Sequence, residues 1–180
     1  PGEPGHETWP QDNDSWMYGG AAIWQTPAVD LDLGLLYFST GNAAPDYNGA
    51  FRAGDNLYAA SMLAIELATG KYRWHFQQVH HDIWDYDAVN PVVLMDVTLA
   101  GRTRKAIAEV GKTGWAYILD RETGKPLIGI DSRGWASATS SRTRSVPGPC
   151  TAWWTTARPL RPAASKAAPT KAAKVTVSAS

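Results

Sequence analysis

A chain of 180 residues with a formal net charge of zero is expected to form one ordinary domain, long enough to bury a core. The balance conceals two unlike parts: residues 1–131 hold all 17 acidic side chains and 9 of the 17 Lys and Arg, while residues 132–180 hold the other 8 and no acid. Its single cysteine, Cys150, excludes an internal disulfide and any cysteine-based zinc site.

No signal-like or membrane-length apolar run is present. The chain opens on Pro1 rather than Met, so a true N-terminus is expected upstream and the missing signal says nothing of compartment. Of the nine tryptophans, six fall in residues 1–131, alongside many glycines and few helical patterns, which favours an all-β fold.

Residues 1–20 (PGEPGHETWPQDNDSWMYGG) are polar and rich in Pro and Gly, yet carry Trp9 and Trp16. That mixture predicts a long ordered loop, because disordered linkers seldom hold large aromatics. Gly19 and Gly20 permit close backbone approach to a bound group, or simply make a turn. AAIWQTPAVD and LLYFSTGN, separated by a turn at 31–34, predict a β-hairpin. Asn42 closes the second strand and opens the loop AAPDYNGAFRAGDN. Its side-chain carbonyl suits a hard cation, although Asn after Gly is also an ordinary turn residue.

Residues 57–78 predict two further strands joined by Ala68-Thr69-Gly70-Lys71. The propensities of 60–67 lean towards helix, but Tyr72, Trp74 and Phe76 alternate after the turn. Thr69-Gly70-Lys71 is echoed by Thr123-Gly124-Lys125, each after an apolar strand ending in an acid. A repeat of about fifty residues built from short strands is a signature of a β-propeller blade.

The densest chemistry lies in His80-His81-Asp82-Ile83-Trp84-Asp85-Tyr86-Asp87-Ala88-Val89-Asn90. Run extended, it would set Asp85 and Asp87 on one side and Trp84 and Tyr86 on the other. Paired carboxylates repel unless a cation or proton lies between them, which points to a metal-assisted acid/base site. The alternative is a solvated acidic turn over two packed aromatics.

PVVLMDV and RKAIAEVGKTGWAYILD predict three more strands, with Gly101 in the first turn and Gly111 to Gly114 breaking the second. Lys112 lies in that break, where taken alone it is an exposed turn lysine. Residues 132–180 lack any sustained period and cannot bury enough apolar surface to offset chain entropy. They read as a disordered or out-of-frame tail. A nucleic-acid-binding arm is the alternative, since basic residues interleave with Trp135, Trp153 and Trp154, but no nucleic-acid partner is expected.

Taken together, GGAAIWQTPAVD, LLYFSTGNAAPDYNG, RAGDNLY, TGKYRWHFQQ, HDIWDYD and GKTGWAYILDRETGK closely resemble the pyrroloquinoline quinone (PQQ)-dependent alcohol dehydrogenases. The resemblance implies a fragment of an eight-bladed β-propeller of W-shaped four-stranded blades, with roughly two to three blades in residues 1–131. It also implies oxidation of a primary or secondary alcohol to the carbonyl compound, PQQ as acceptor and Ca²⁺ or a lanthanide ion beneath the cofactor. Electrons would pass on to a cytochrome c or a membrane quinone, in the periplasm or at the outer face of the inner membrane.

Residue roles carry over singly. Trp24 matches the tryptophan that floors the flat cofactor, as suits stacking on a large ring. Asn42 matches a metal ligand, and Asp85 matches the base that takes the alcohol proton. Lys112 matches the cation that hydrogen-bonds the quinone oxygens. Asp87 stands where lanthanide-using members carry an additional carboxylate, with Ca²⁺ the default ion.

The family's metal-binding glutamate and vicinal disulfide would lie upstream of Pro1. The ion would then keep Asn42, Asp85 and Asp87, fewer than the roughly six to eight oxygens calcium prefers. The isolated chain is therefore expected to be inactive alone. His81 and Asp82 are expected to be structural, holding the loop of Asp85. The competing reading is a non-catalytic propeller scaffold, which would need Trp74 and Trp115 for blade packing but none of the channel groups.

Overall fold

The computed structural model describes residues 2–128 and 176–178. Among the described residues two antiparallel sheets make up the architecture. The first runs in order β1 (Ala28–Asp30), β2 (Leu35–Ser39), β3 (Ser61–Glu66) and β4 (Tyr72–Gln77). The second takes β5 (Val93–Leu99), β6 (Arg102–Val110) and β7 (Ala116–Asp120), with β8 (Thr176–Ser178) paired to the free edge of β5. This is the all-β, blade-by-blade arrangement the repeat predicts. The expectation of a disordered or out-of-frame tail otherwise lies outside the described residues, as does the boundary at 131. Among the described residues no helix is long and apolar enough to cross a membrane.

Local chemistry explains the turns. Asp30 Oδ1 accepts from the amides of Asp32 and Leu33, each at 3.0 Å, which bends the chain between β1 and β2. The two Thr-Gly-Lys turns share one hydrogen-bond plan. Gly70 donates to Glu66 O at 2.8 Å and Gly124 to Asp120 O at 2.9 Å, while Glu66 and Asp120 each donate to the carbonyl five residues on at 2.8 Å. The 54-residue interval in the sequence is thus a structural repeat. Within residues 60–67, Ser61–Glu66 form a strand, as alternation predicts against propensity, because both edges of β3 are paired.

The sheets pack face to face through one core. Leu35, Tyr37, Met62, Ala64 and Trp74 from the first meet Ile107, Tyr117 and Leu119 of the second, with Val92 just before β5. Two polar tips tie the seam: Tyr37 Oη at 3.1 Å and Trp74 Nε1 at 3.0 Å both donate to the carbonyl of Arg121. Trp74 therefore packs between blades as expected. Trp115 does not. It is 63 % exposed, because it lies just beyond the Val110–Ala116 pair that ends the β6–β7 ladder.

Gly124 explains how tightly the seam closes. Its φ is +69°, and a Cβ there would lie 2.6 Å from Trp74 Cε3. The ring is fixed by its bond to Arg121 O and cannot retreat. Gly124→Ala is accordingly expected to destabilise the chain by about 1–3 kcal/mol. A urea titration checks this, and an unchanged midpoint would refute the packing argument.

Candidate active site at the blade seam

Residues from four segments meet at one end of the seam. Residues 19–24 lie antiparallel to 41–44: Ala21 donates to Asn42 O at 2.8 Å, Gly41 to Ala22 O at 2.9 Å and Ala44 to Gly19 O at 2.9 Å. Gly20 serves this close approach, since a Cβ there would lie 2.5 Å from the carbonyl oxygen of Asn42. The lacing brings Trp24 over Gly41. A Cβ on Gly41 would meet the Trp24 ring at 2.6 Å and Asp87 Oδ1 at 3.0 Å. Trp24 is nonetheless 57 % exposed, so most of its surface is open to a ligand.

Asn42 is oriented from both sides. Its backbone amide donates to Asp87 Oδ1 at 2.8 Å. Its Nδ2 donates to Asp46 Oδ1 at 2.6 Å and to Ala43 O at 3.0 Å, which turns Oδ1 the other way as a hard donor atom. Lys112, in the β6–β7 turn of the second sheet, reaches across. Its Nζ lies 2.5 Å from Asp87 Oδ2 and 3.1 Å from Asp85 Oδ2. The Asp87 carboxylate, with help from Asp85, holds this ammonium above its ordinary pKa against the opposing pull of desolvation.

The acidic loop is not extended. Asp85 has φ of +63°, in the left-handed region. Asp82, 1 % exposed, sets that shape: Oδ1 accepts from the Trp84 amide at 2.9 Å and Oδ2 from the Tyr86 amide at 2.8 Å. The sidedness expected of a strand is still realised. Trp84 and Tyr86 stack at 6.0 Å with 21° between planes, while Asp85 and Asp87 share Lys112. Burial pushes the Asp82 carboxyl above its usual range, opposed by the two amides and by Arg52. His81 Nδ1 lies 2.9 Å from Gly54 O, tying the same loop to its neighbour. Both residues thus have the supporting role expected of them.

A group that can take a PQQ and a hard cation needs a flat apolar floor, oxygen donors and a convergent charge. Trp24 over Gly41 provides the floor, and Asn42 Oδ1, Asp85 and Asp87 are all hard oxygen donors. Lys112 Nζ already marks a cation position between the two carboxylates. The residues present therefore fit both groups. Among the described residues no cluster of three or more His, Cys, Asp or Glu side chains is placed to hold a metal ion.

One ionisable group here escaped the sequence reading. Glu109, at 2 % exposure, lies in the seam where Ser39 Oγ and Gln78 Nε2 each donate to its Oε2 at 2.8 Å. Its Oε1 and Gln78 Oε1 are buried without a partner. Burial pushes its carboxyl up to about 8, only partly opposed by those two bonds. The signal was available: Glu109 shares strand parity with Ile107, on the inward face of β6.

Comparison with known proteins gives a consistent picture. The PQQ family described as the β-propeller domain of glucose, ethanol and alcohol dehydrogenases matches residues 1–174. The quinoprotein alcohol dehydrogenase PedH of Pseudomonas putida is 40% identical over 148 residues, which is 81% of this chain and 24% of that protein. A crystal structure of the quinohemoprotein alcohol dehydrogenase from Comamonas testosteroni has a TM-score of 0.65 at 37% identity, covering 68% of this chain and 19% of that one. A europium-containing methanol dehydrogenase has a TM-score of 0.64 at 34% identity, covering 72% and 23%. The chain thus spans about a quarter or less of the length of these relatives.

Proposed function

Because the chain belongs to the PQQ-dependent alcohol dehydrogenase β-propeller family, we propose that it forms the base-bearing part of an active site that oxidises a primary or secondary alcohol to an aldehyde or ketone. The observation that carries this reading is the convergence of Trp24, Asn42, Asp85, Asp87 and Lys112 at one end of the seam. A scaffold propeller has no need of it.

Trp24 would floor the cofactor with its open ring face. Asn42 Oδ1, Asp85 and Asp87 would hold the ion. When bound, PQQ supplies a two-electron hydride acceptor and the ion supplies Lewis acidity. Asp85 Oδ2 would accept the proton of the alcohol hydroxyl from a position fixed by Asp82. Lys112, which here faces Asp85 and Asp87, would donate to the quinone oxygens once an ion balanced the two carboxylates. The full enzyme would pass its electrons to a cytochrome c or a membrane quinone on the periplasmic side. Three side-chain donors fall short of a calcium shell, so the isolated chain would not turn over.

Ca²⁺ is the default ion, and Asp87 adds a second carboxylate that favours a trivalent lanthanide. The test is dye-linked alcohol oxidation by a full-length propeller carrying residues 1–128, reconstituted with PQQ and either Ca²⁺ or La³⁺. Asp87→Ala is expected to lower the La³⁺-supported rate by about tenfold or more relative to the Ca²⁺-supported rate. Failure to bind PQQ with either ion would overturn the enzyme reading and leave a scaffold.

A further inference from the structure

Arg52 is the largest fully buried side chain among the described residues, at 0 % exposure. Burying a guanidinium is costly unless its donors are satisfied. No carboxylate among the described residues lies within ion-pair distance of it. It is held by oxygens instead. Nε at 3.3 Å and Nη2 at 2.9 Å donate to Pro45 O, Nη1 donates to Asn56 Oδ1 at 2.8 Å, and Nη2 also donates to Asp82 O.

Those acceptors belong to two different loops. Pro45 lies three residues from Asn42, in the turn where Asp46 fixes the Asn42 amide. Asp82 is the residue that clamps the amides on either side of Asp85. Asn56 completes the arrangement by donating from Nδ2 to Arg52 O at 2.7 Å, so the arginine is itself held in place. A planar fork with five donors can bridge two carbonyls and an amide at once, which a lysine ammonium on a flexible stem cannot do.

We propose that Arg52 is a positioning residue that braces the Asn42 loop against the Asp85 loop, fixing the separation between the ion-holding amide and the base. The proposal deepens the reading above and rests on it. Arg52 touches neither of the two site residues. It sets their relative placement through Pro45 and Asp82.

The test is amide hydrogen exchange on the full chain with Arg52→Lys, using Asn42 and Ala44 as reporters of one loop and Trp84 and Tyr86 of the other. Exchange is expected to quicken by about tenfold in both loops together, with the amides of β3 and β6 unchanged. Quickening of one loop only, or an equal rise in β3 and β6, would overturn the proposal. If Arg52→Lys does not fold, Arg52→Gln leaves no buried unpaired ammonium and carries the same comparison. In the reconstituted full-length protein, Arg52→Lys is expected to lower kcat about tenfold with KM for the alcohol within about twofold. An unchanged kcat despite loosened loops would overturn the positioning role. Coupled loosening in a protein that never oxidises alcohols would sustain the brace and remove the enzyme reading instead.

Discussion

At about pH 8, the Glu109→Gln chain is expected to be more stable than the parent by about 2–4 kcal/mol, and near pH 4 the two are expected to unfold at similar denaturant concentrations. The reason is a difference in protonation between folded and unfolded states. An unfolded glutamate releases its proton near the ordinary value of 4.5, whereas in the seam burial holds the Glu109 proton up to about 8. Below the lower value both states are protonated and there is no penalty. Between the two, the folded state binds more protons than the unfolded state, so stability falls as pH rises, and the loss is complete above the folded value.

Glutamine removes the titration while keeping an oxygen for Ser39 Oγ and Gln78 Nε2. Its new amide must find an acceptor, and Gln78 Oε1 is a buried oxygen that lacks a donor. Urea titrations across this pH range decide the matter. A stability difference that does not vary with pH would show that Glu109 is already ionised in the folded state.

Asp85→Asn is expected to lower the rate of alcohol oxidation in the reconstituted full-length protein by about 10²–10⁴-fold, with PQQ absorbance of the bound form retained. Asparagine tolerates the left-handed backbone that Asp85 adopts at φ of +63°, so the loop keeps its shape. The amide cannot accept the hydroxyl proton. Because Asp85 also stands in the proposed ion site, the assay is run at saturating ion, where loss of affinity no longer limits the rate. Full activity under those conditions would dismiss Asp85 as the base. Together with the Asp87 comparison, this separates proton transfer from ion selection.

The strands were legible because their pattern is local. Alternation after Thr69-Gly70-Lys71 and its echo after Leu119-Asp120 predict the turns that the hydrogen bonds display. The convergence of site residues was legible only through resemblance, since nothing in the spacing of Trp24, Asn42 and Lys112 says that three loops meet. The conformation of the acidic loop was not legible. Extended geometry was the natural expectation for Trp84 to Asp87, and it is overridden by a buried carboxylate whose reach depends on Asp82 lying beneath the loop. Arg52 and Glu109 escaped for a related reason. Arg52 looks solvated in a polar loop until Pro45, Asn56 and Asp82 are seen to enclose it, and the charge of Glu109 outweighs its inward parity on β6 until the seam is seen to cover it. Trp115 was misjudged in the opposite sense, its size suggesting packing that the end of the ladder denies.

The span between Lys112 and Asp87 crosses from one sheet to the connection leaving the other. Such a contact works as a vernier. A slip of one blade against its neighbour by a fraction of an ångström is hardly visible in a core of interchangeable apolar contacts, but it changes directly how far an ammonium stands from two carboxylates. The charge balance at the mouth of the seam is in this sense a readout of blade alignment, and substitutions deep in the core can reach the chemistry without altering any residue that performs it.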